Sequence, residues 1–412
     1  MKNKTVLTVM SVAVDPTVGA GYLRRVIETN QLFLKRGYTP IIIAPLKFKE
    51  KIFDNVQGIK LIRIPQITIP GVRIPIWDDF FSYPLSLFVI LFLLSLLKNV
   101  KLIHAHNPPD MPSFVSILIG KIFKSPVIYD IHDFWIYLTQ VNREYYWHPQ
   151  SIQNKLGHLI ERFCLTKATV IFVVSWTMKQ ILIERRIPSR KILIIRQPCD
   201  LSLFDPMKHN GSLIMKKYSL ENRRPILTYI GKIESYRRGL EILVRSMKLI
   251  YQKYSDSVLL IVGKVSPSNE LRNLAREIGL PDSSIIFPGW VSPDLVPEFM
   301  SVSDILVAPF LDTPDINIAA PHKIYEYMAM EKPLVISATS EFKYMLDNAA
   351  FFVKPGDVRD LAEAVIQAYE DRHHLAKSFA EKARTILLEK FSWDITLKKL
   401  EKICRTIVDN MN

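Results

Sequence analysis

Three stretches carry residues whose types and spacing suit chemistry. The first is Pro321-His322-Lys323-Ile324-Tyr325-Glu326-Tyr327, within segment 304–337. The segment reads as an apolar run at 305–308, a loop rich in Asp and Pro, a helix with Pro321 in its first turn, and a second apolar run at 334–336. A helix entered from a strand points its unpaired backbone N–H groups and positive dipole end above the sheet, where a phosphate can be held. Glu326, about one turn in, is then placed to accept hydrogen bonds from sugar hydroxyls. The same residues also suit a surface helix whose Glu326 pairs with Lys323.

The second stretch is Gly231-Lys232, following an apolar run, with Arg238-Gly239 six residues on at the start of the next helix. Cations converging at a helix N-terminus fit a diphosphate. Such donors would also stabilise the charge that grows on a departing diphosphate. A basic solvated loop is the alternative. The third stretch is His104-Ala105-His106 with His132-Asp133, at the ends of expected strands 100–107 and 126–131. Open α/β sheets form their ligand crevices at such ends. His104 and His106 share one strand face, but the sequence shows no third ligand beside them, so no metal site is expected.

The elements that must position these groups alternate along the chain. Residues 6–14 read as a strand rather than a signal peptide, because they lead into Asp15-Pro16 with no small-residue cleavage site. Gly19-Ala20-Gly21 opens a helix over 22–35, and Gly37 stops it before a strand at 40–44. A glycine loop of this kind lets a ligand approach the backbone. Arg24 and Arg25 oppose the dipole of that helix start, which hints at an anion nearby. Further strands are expected at 169–175 and 191–195, then a polar stretch over 200–222. Alternation restarts with strands at 226–230, 258–262, 285–287, 305–308 and 351–353, and helices over 240–251, 269–278 and 358–369. The pattern predicts an α/β protein of two doubly wound Rossmann-like domains, 1–204 and 205–390, facing an interdomain cleft.

Composition narrows the partners. With 412 residues, 49% hydrophobic and 23% charged, the chain can bury two large cores and has no disordered character. Three scattered cysteines, Cys164, Cys199 and Cys404, lack metal-ligand spacing and fit a reduced compartment, read as the cytoplasm. A net charge of +14 favours an anionic partner: nucleotide phosphate, nucleic acid or an acidic membrane. No zinc-finger ligands, basic-region heptads or RNA-recognition aromatics are visible, so nucleic acid is not expected. The run LSLFVILFLLSLL over 85–97 is apolar on every face. At about 1.5 Å per residue it is too short to cross a hydrocarbon core of about 30 Å. Trp77, Phe80, Phe81 and Tyr83 precede it, and Lys98 and Lys101 follow. A wholly buried helix and peripheral docking on the inner face of an anionic membrane both fit.

Together these motifs resemble the retaining group-1, or family 4, glycosyltransferases of the GT-B fold, over nearly the whole chain. Gly231-Lys232 with Arg238-Gly239 resembles that family's diphosphate clamp. Phe287-Pro288-Gly289-Trp290-Val291 with Ser303-Asp304-Ile305 is similar to its segment near the nucleobase. Glu326-Tyr327-Met328-Ala329 with Lys332-Pro333 resembles the element whose Glu contacts the ribose, and His104-Ala105-His106 with His132 resembles motifs lining the sugar site. Phe391-Ser392-Trp393 resembles the start of a C-terminal helix, here 391–412, that returns to the first domain. The family often has a second Glu eight positions before the ribose Glu. Here that position is Ile318, and Lys323 is a candidate substitute contact.

The resemblance implies transfer of a sugar from a nucleoside diphosphate sugar to a glycan or lipid-linked acceptor hydroxyl with retention, in cell-envelope or surface polysaccharide synthesis. The leaving phosphate oxygen would itself take the acceptor's proton. It implies His132, Lys232 and Arg238 as catalytic residues, and Gly19, Gly21, Gly231, Val291, Lys323 and Glu326 as donor-binding ones, with no cofactor. No D-x-D pair occurs in the chain, which argues against the metal-dependent sugar-transferase fold that uses one. A nucleotide-sugar 2-epimerase and a non-catalytic nucleotide-sugar-binding protein are the alternatives.

Overall fold

The computed structural model describes residues 4–11, 21–46, 50–65, 82–107, 110–134, 152–196, 199–233, 238–264 and 270–409. Its strands are the Val/Ile-rich runs, whose branched side chains suit a parallel sheet buried on both faces. In the first half they are β1 (Lys4–Val9), β2 (Thr39–Pro45), β3 (Phe53–Val56), β4 (Ile59–Ile64), β5 (Asn99–His106), β6 (Val127–Ile131), β7 (Val170–Val173) and β8 (Ile192–Ile194). They form an eight-stranded sheet in the order β3-β4-β2-β1-β5-β6-β7-β8, parallel except where β3 meets β4. The β3–β4 hairpin was not expected from periodicity. Its turn is legible afterwards, because Gln57 (φ 52) and Gly58 (φ 85) both take the left-handed backbone that a tight two-residue turn requires.

The second half forms β9 (Ile226–Ile230), β10 (Val258–Val262), β11 (Ile285–Gly289), β12 (Ile305–Ala308), β13 (Leu334–Ser337) and β14 (Phe351–Val353). The sheet order is β11-β10-β9-β12-β13-β14, all parallel. In each sheet the chain reverses its direction of travel at the middle, between β1 and β5 and between β9 and β12. Loops leaving the strand ends at such a switch diverge and open a crevice.

The chain divides into two compact units, Met1–Gln197 with Thr396–Asn412, and Pro198–Ile395. Cys199 and Phe204 pack in the second core with Ile226, Phe299 and Tyr325, although the sequence reading carries the first domain to 204. The polar composition of 200–222 conceals this anchoring. The Cys199 thiol donates to the Tyr325 carbonyl at 3.5 Å. From the helix Trp393–Asp409, Leu400 joins the first core beside Val6, Phe33, Leu102 and Phe172, with Leu397, Ile403 and Ile407 against it. Glu401 pairs with Arg36.

The helix Tyr83–Leu97 is not wholly buried. It turns Tyr83, Leu87 and Leu91 inward and leaves Leu85, Val89, Leu93, Leu96 and Leu97 exposed. No helix among the described residues is long and apolar enough to cross a membrane.

Candidate active site

In the first unit, β5 and β6 bring His104, His106, Asp130 and His132 together at their C-terminal ends. Asp130 and Arg25 are fully buried, and one Arg25 nitrogen donates to both Asp130 oxygens at 2.7 and 2.8 Å. The anion that Arg25 meets is therefore Asp130, 105 residues away in sequence, and not the ligand suggested by its place at a helix start. His104 Nε2 lies 2.9 Å from Asp130 Oδ2, and His106 Nδ1 lies 3.0 Å from His132 Nε2. Burial resists the Asp130 charge, but the Arg25 guanidinium and the surrounding imidazoles outweigh it and hold the carboxyl well below its usual range. Burial also lowers His106 well below the ordinary imidazole value and His132 to about 3, against the pull of Asp130. The His106–His132 contact is thus one between neutral rings.

Asn107 fixes this arrangement. Its side-chain oxygen accepts from the His132 backbone N–H at 2.9 Å, while its nitrogen donates to Asp110 at 2.9 Å and to the Asp133 carbonyl at 3.1 Å. The third donor that the sequence did not show beside the two histidines is Asp130, and donor atoms of His104, His106 and Asp130 lie within 4.8 Å of one another. The carboxylate is already engaged by a guanidinium, so a metal ion would have to displace Arg25. The set as built suits a carboxylate–arginine pair.

In the second unit, the groups gather at the switch between β9 and β12. The helix His322–Ala329 buries all its side chains except those of His322 and Glu326, which are half-buried, so it is no surface helix. Tyr327 locks it to β9, its phenolic oxygen accepting from the Ile230 backbone N–H at 2.9 Å. This lock carries Lys323 under the loop that leaves β9. Lys323 is 9% exposed, and its Nζ has no hydrogen-bond partner among the described residues. It lies 3.8 Å from the Tyr229 ring centroid and 5.2 Å from that of Phe310. A Cβ on Gly231 would come within 2.8 Å of that Nζ, a contact the flexible end of the lysine can relieve, so it is the left-handed backbone (φ 141) that favours glycine there.

Arg238 stacks over Phe310 at 5.4 Å, and its Nε also lacks a partner among the described residues. Gly239 (φ 66) seats the start of the next helix against the Pro309 carbonyl, where a Cβ would sit 1.7 Å from the oxygen. Burial and then the like charge of Arg238 hold Lys323 well below the usual ammonium value. Burial raises Glu326 to about 7, opposed by Lys323. The Lys323–Glu326 pairing is not made.

The cations that converge are therefore Arg238 and Lys323, whereas the Lys232 side chain is exposed and its carbonyl accepts from the Tyr229 hydroxyl at 2.8 Å. Val291 is half-buried against the second core, and its neighbour Trp290 is 71% exposed. Ile318 is buried, at the end of the short helix Pro314–Ile318, which forms where a loop was expected. Gly21 is the first residue of the helix Gly21–Lys35, while Gly19 lies outside the described residues, as do Trp77, Phe80 and Phe81. Asp130 and Asn107 escaped the sequence reading, and the partner of Arg25 did as well. A charged residue inside the strand VIYDI was the available signal for Asp130.

Two family models match the chain: Glycosyltransferase Family 4 over residues 21–203 and Glycosyl transferases group 1 over residues 224–371. YtcC of Bacillus subtilis (strain 168) is 25% identical over 265 residues, which span 60% of this chain and 63%, under two thirds, of that relative. The UDP-Gal:alpha-D-GlcNAc-diphosphoundecaprenol alpha-1,3-galactosyltransferase of Escherichia coli is 22% identical over 326 residues, 77% of this chain and 78% of that one. Among solved structures, Anabaena Alr3699/HepE in complex with UDP superposes with a TM-score of 0.72 at 16% identity, covering 99% of this chain and 100% of that one.

Proposed function

The chain belongs to the group 1, family 4 glycosyltransferases, of the GT-B fold, and from that premise we propose that it transfers a sugar from a nucleoside diphosphate sugar to an acceptor hydroxyl with retention of anomeric configuration. The acceptor class is a glycan or lipid-linked glycan of the cell envelope, in keeping with the diphosphoundecaprenol acceptor in the name of the Escherichia coli relative. Uridine nucleotides are the first donors to test, since that relative's name and the HepE complex both carry one.

The observation that carries the reading is the buried Lys323 amine, without a hydrogen-bond partner among the described residues, between the Tyr229 and Phe310 rings, beside Arg238 and under Gly231. A buried amine without a partner is costly, and it suits a site whose ligand completes it. With the N–H groups at the start of His322–Ala329, Lys323 and Arg238 would bind the diphosphate and strengthen that grip as the glycosidic bond breaks. Glu326, one turn on, accepts ribose hydroxyls. The leaving phosphate oxygen takes the acceptor proton, so the protein needs no strong base and no obligatory metal ion.

A panel of nucleoside diphosphate sugars, screened for binding and then for acceptor-dependent release of the nucleoside diphosphate, tests this. Release that needs acceptor, yields the retained anomer and persists in chelator is expected. Donor turnover without acceptor would identify an epimerase instead, and a chain that binds donors but turns none over would be a binding protein.

A further inference from the structure

We propose that the outer face of the helix Tyr83–Leu97, together with the lysine-lined end of the helix Met111–Ile122, is a docking surface for an anionic phospholipid bilayer. The proposal is independent of the transfer reading above. Leu85, Val89, Leu93, Leu96 and Leu97 recur at helical spacing on the side opposite the buried Leu87 and Leu91, and each is between 46% and 66% exposed. An apolar stripe of this length facing water has no folding rationale. It continues onto the next helix through the edge-to-face contact of Phe92 with Phe123, beside Ile122, which is 51% exposed.

Charge identifies the occupant. Lys98, Lys121 and Lys124 are exposed at this end and Lys101 is half-buried. From residue 82 to residue 129 the only acidic side chain is Asp110, and it is buried. A cavity of about 500 Å³ lies at the starts of β6 and β7, with Lys121, Lys124, Lys167 and Thr406 in its wall. Lys191 donates to the Leu165 and Thr166 carbonyls, and burial and the like charge of Lys167 and Lys121 hold it below the usual ammonium value. A leucine face rimmed by lysines matches acyl chains beneath anionic headgroups, and the cavity offers a place for one headgroup phosphate. A second copy of this chain would bring the same lysines face to face and be repelled. The basic end lies at the strand starts, the opposite edge of the sheet from His104, His106 and His132, so docking leaves those residues uncovered.

Flotation with vesicles of phosphatidylcholine alone, and of phosphatidylcholine with phosphatidylglycerol, tests the surface on the full chain. The expected result is flotation with the anionic vesicles at low salt, little with the neutral ones, and loss of binding as salt rises. Leu93→Glu with Leu96→Glu should abolish flotation. Lys121→Glu with Lys124→Glu should weaken it about tenfold or more. All four positions are exposed, and an unchanged melting temperature reports that the variants fold. Failure of the unaltered protein to float at low salt overturns the proposal, as does binding that the leucine variants leave intact. A chain that light scattering shows to be a dimer, and that the leucine variants turn into a monomer, would make this face a self-association surface and refute lipid docking.

Discussion

Replacing Lys323 by Met separates a ligand-binding lysine from a structural one, because the two roles move stability and affinity in different directions. In the free protein the Lys323 amine is buried among Tyr229, Phe310 and Arg238 without a hydrogen bond among the described residues. An unsatisfied buried polar group costs about 1–3 kcal/mol. Met fills similar space and makes favourable sulfur–aromatic contacts, so the ligand-free variant should gain stability. At about 2–4 °C per kcal/mol for a unit of this size, its melting temperature should rise by roughly 2–12 °C. Affinity should fall, since a hydrogen bond between an ammonium and a phosphate contributes about 1.5–3 kcal/mol, or roughly 10- to 150-fold in Kd. A proton signature goes with it. A bound diphosphate favours the charged amine, so the unaltered protein should take up a proton on binding at alkaline pH, and Lys323→Met should take up less. Scanning fluorimetry, and calorimetry in buffers of different ionisation enthalpy, read all three quantities with a nucleoside diphosphate as probe. A variant that is less stable without ligand, or that binds the probe as tightly with unchanged proton uptake, refutes the assignment.

Glu326 should give donor binding a pH dependence. Its carboxyl is raised to about 7 in the free protein, and only the ionised form accepts two hydroxyl protons. Donor affinity should therefore drop by roughly tenfold between pH 8 and pH 6 as the competent fraction falls. Glu326→Gln should flatten that profile, and a variant with the slope intact would assign the titration elsewhere. Asp130→Asn removes the anion from the buried Arg25, and breaking such a pair costs about 3–5 kcal/mol. Because Asp130 is held well below its ordinary value, the pair stabilises the unaltered protein at every pH above about 4 and fails only in stronger acid. Urea melts at neutral pH should show the loss in Asp130→Asn, and melts across acid pH should show its onset in the parent. A variant as stable as the parent would mean that the buried charges are compensated by other groups.

Most strands and helices, and the residue types at the strand ends, were legible from sequence, whereas the β3–β4 hairpin and the short helix Pro314–Ile318 were not. Branched apolar runs of strand length alternating with helical spacing allow little but two covered parallel sheets, and chemistry in such sheets gathers where strands end. Hence Gly231, Arg238, Lys323, Glu326 and His132 were all legible as candidates. Tertiary structure decided which of them meet. Lys232 sits next to Gly231 in sequence yet points to solvent, while Lys323, a crossover away, fills the space under Gly231 because Tyr327 ties its helix to β9. Arg25 looked like a ligand-binding cation until the fold set it on Asp130. Local periodicity reports which face of an element is apolar. Which two loops share a crevice depends on strand order, fixed by burial and pairing across distant segments, and no window of sequence contains that information.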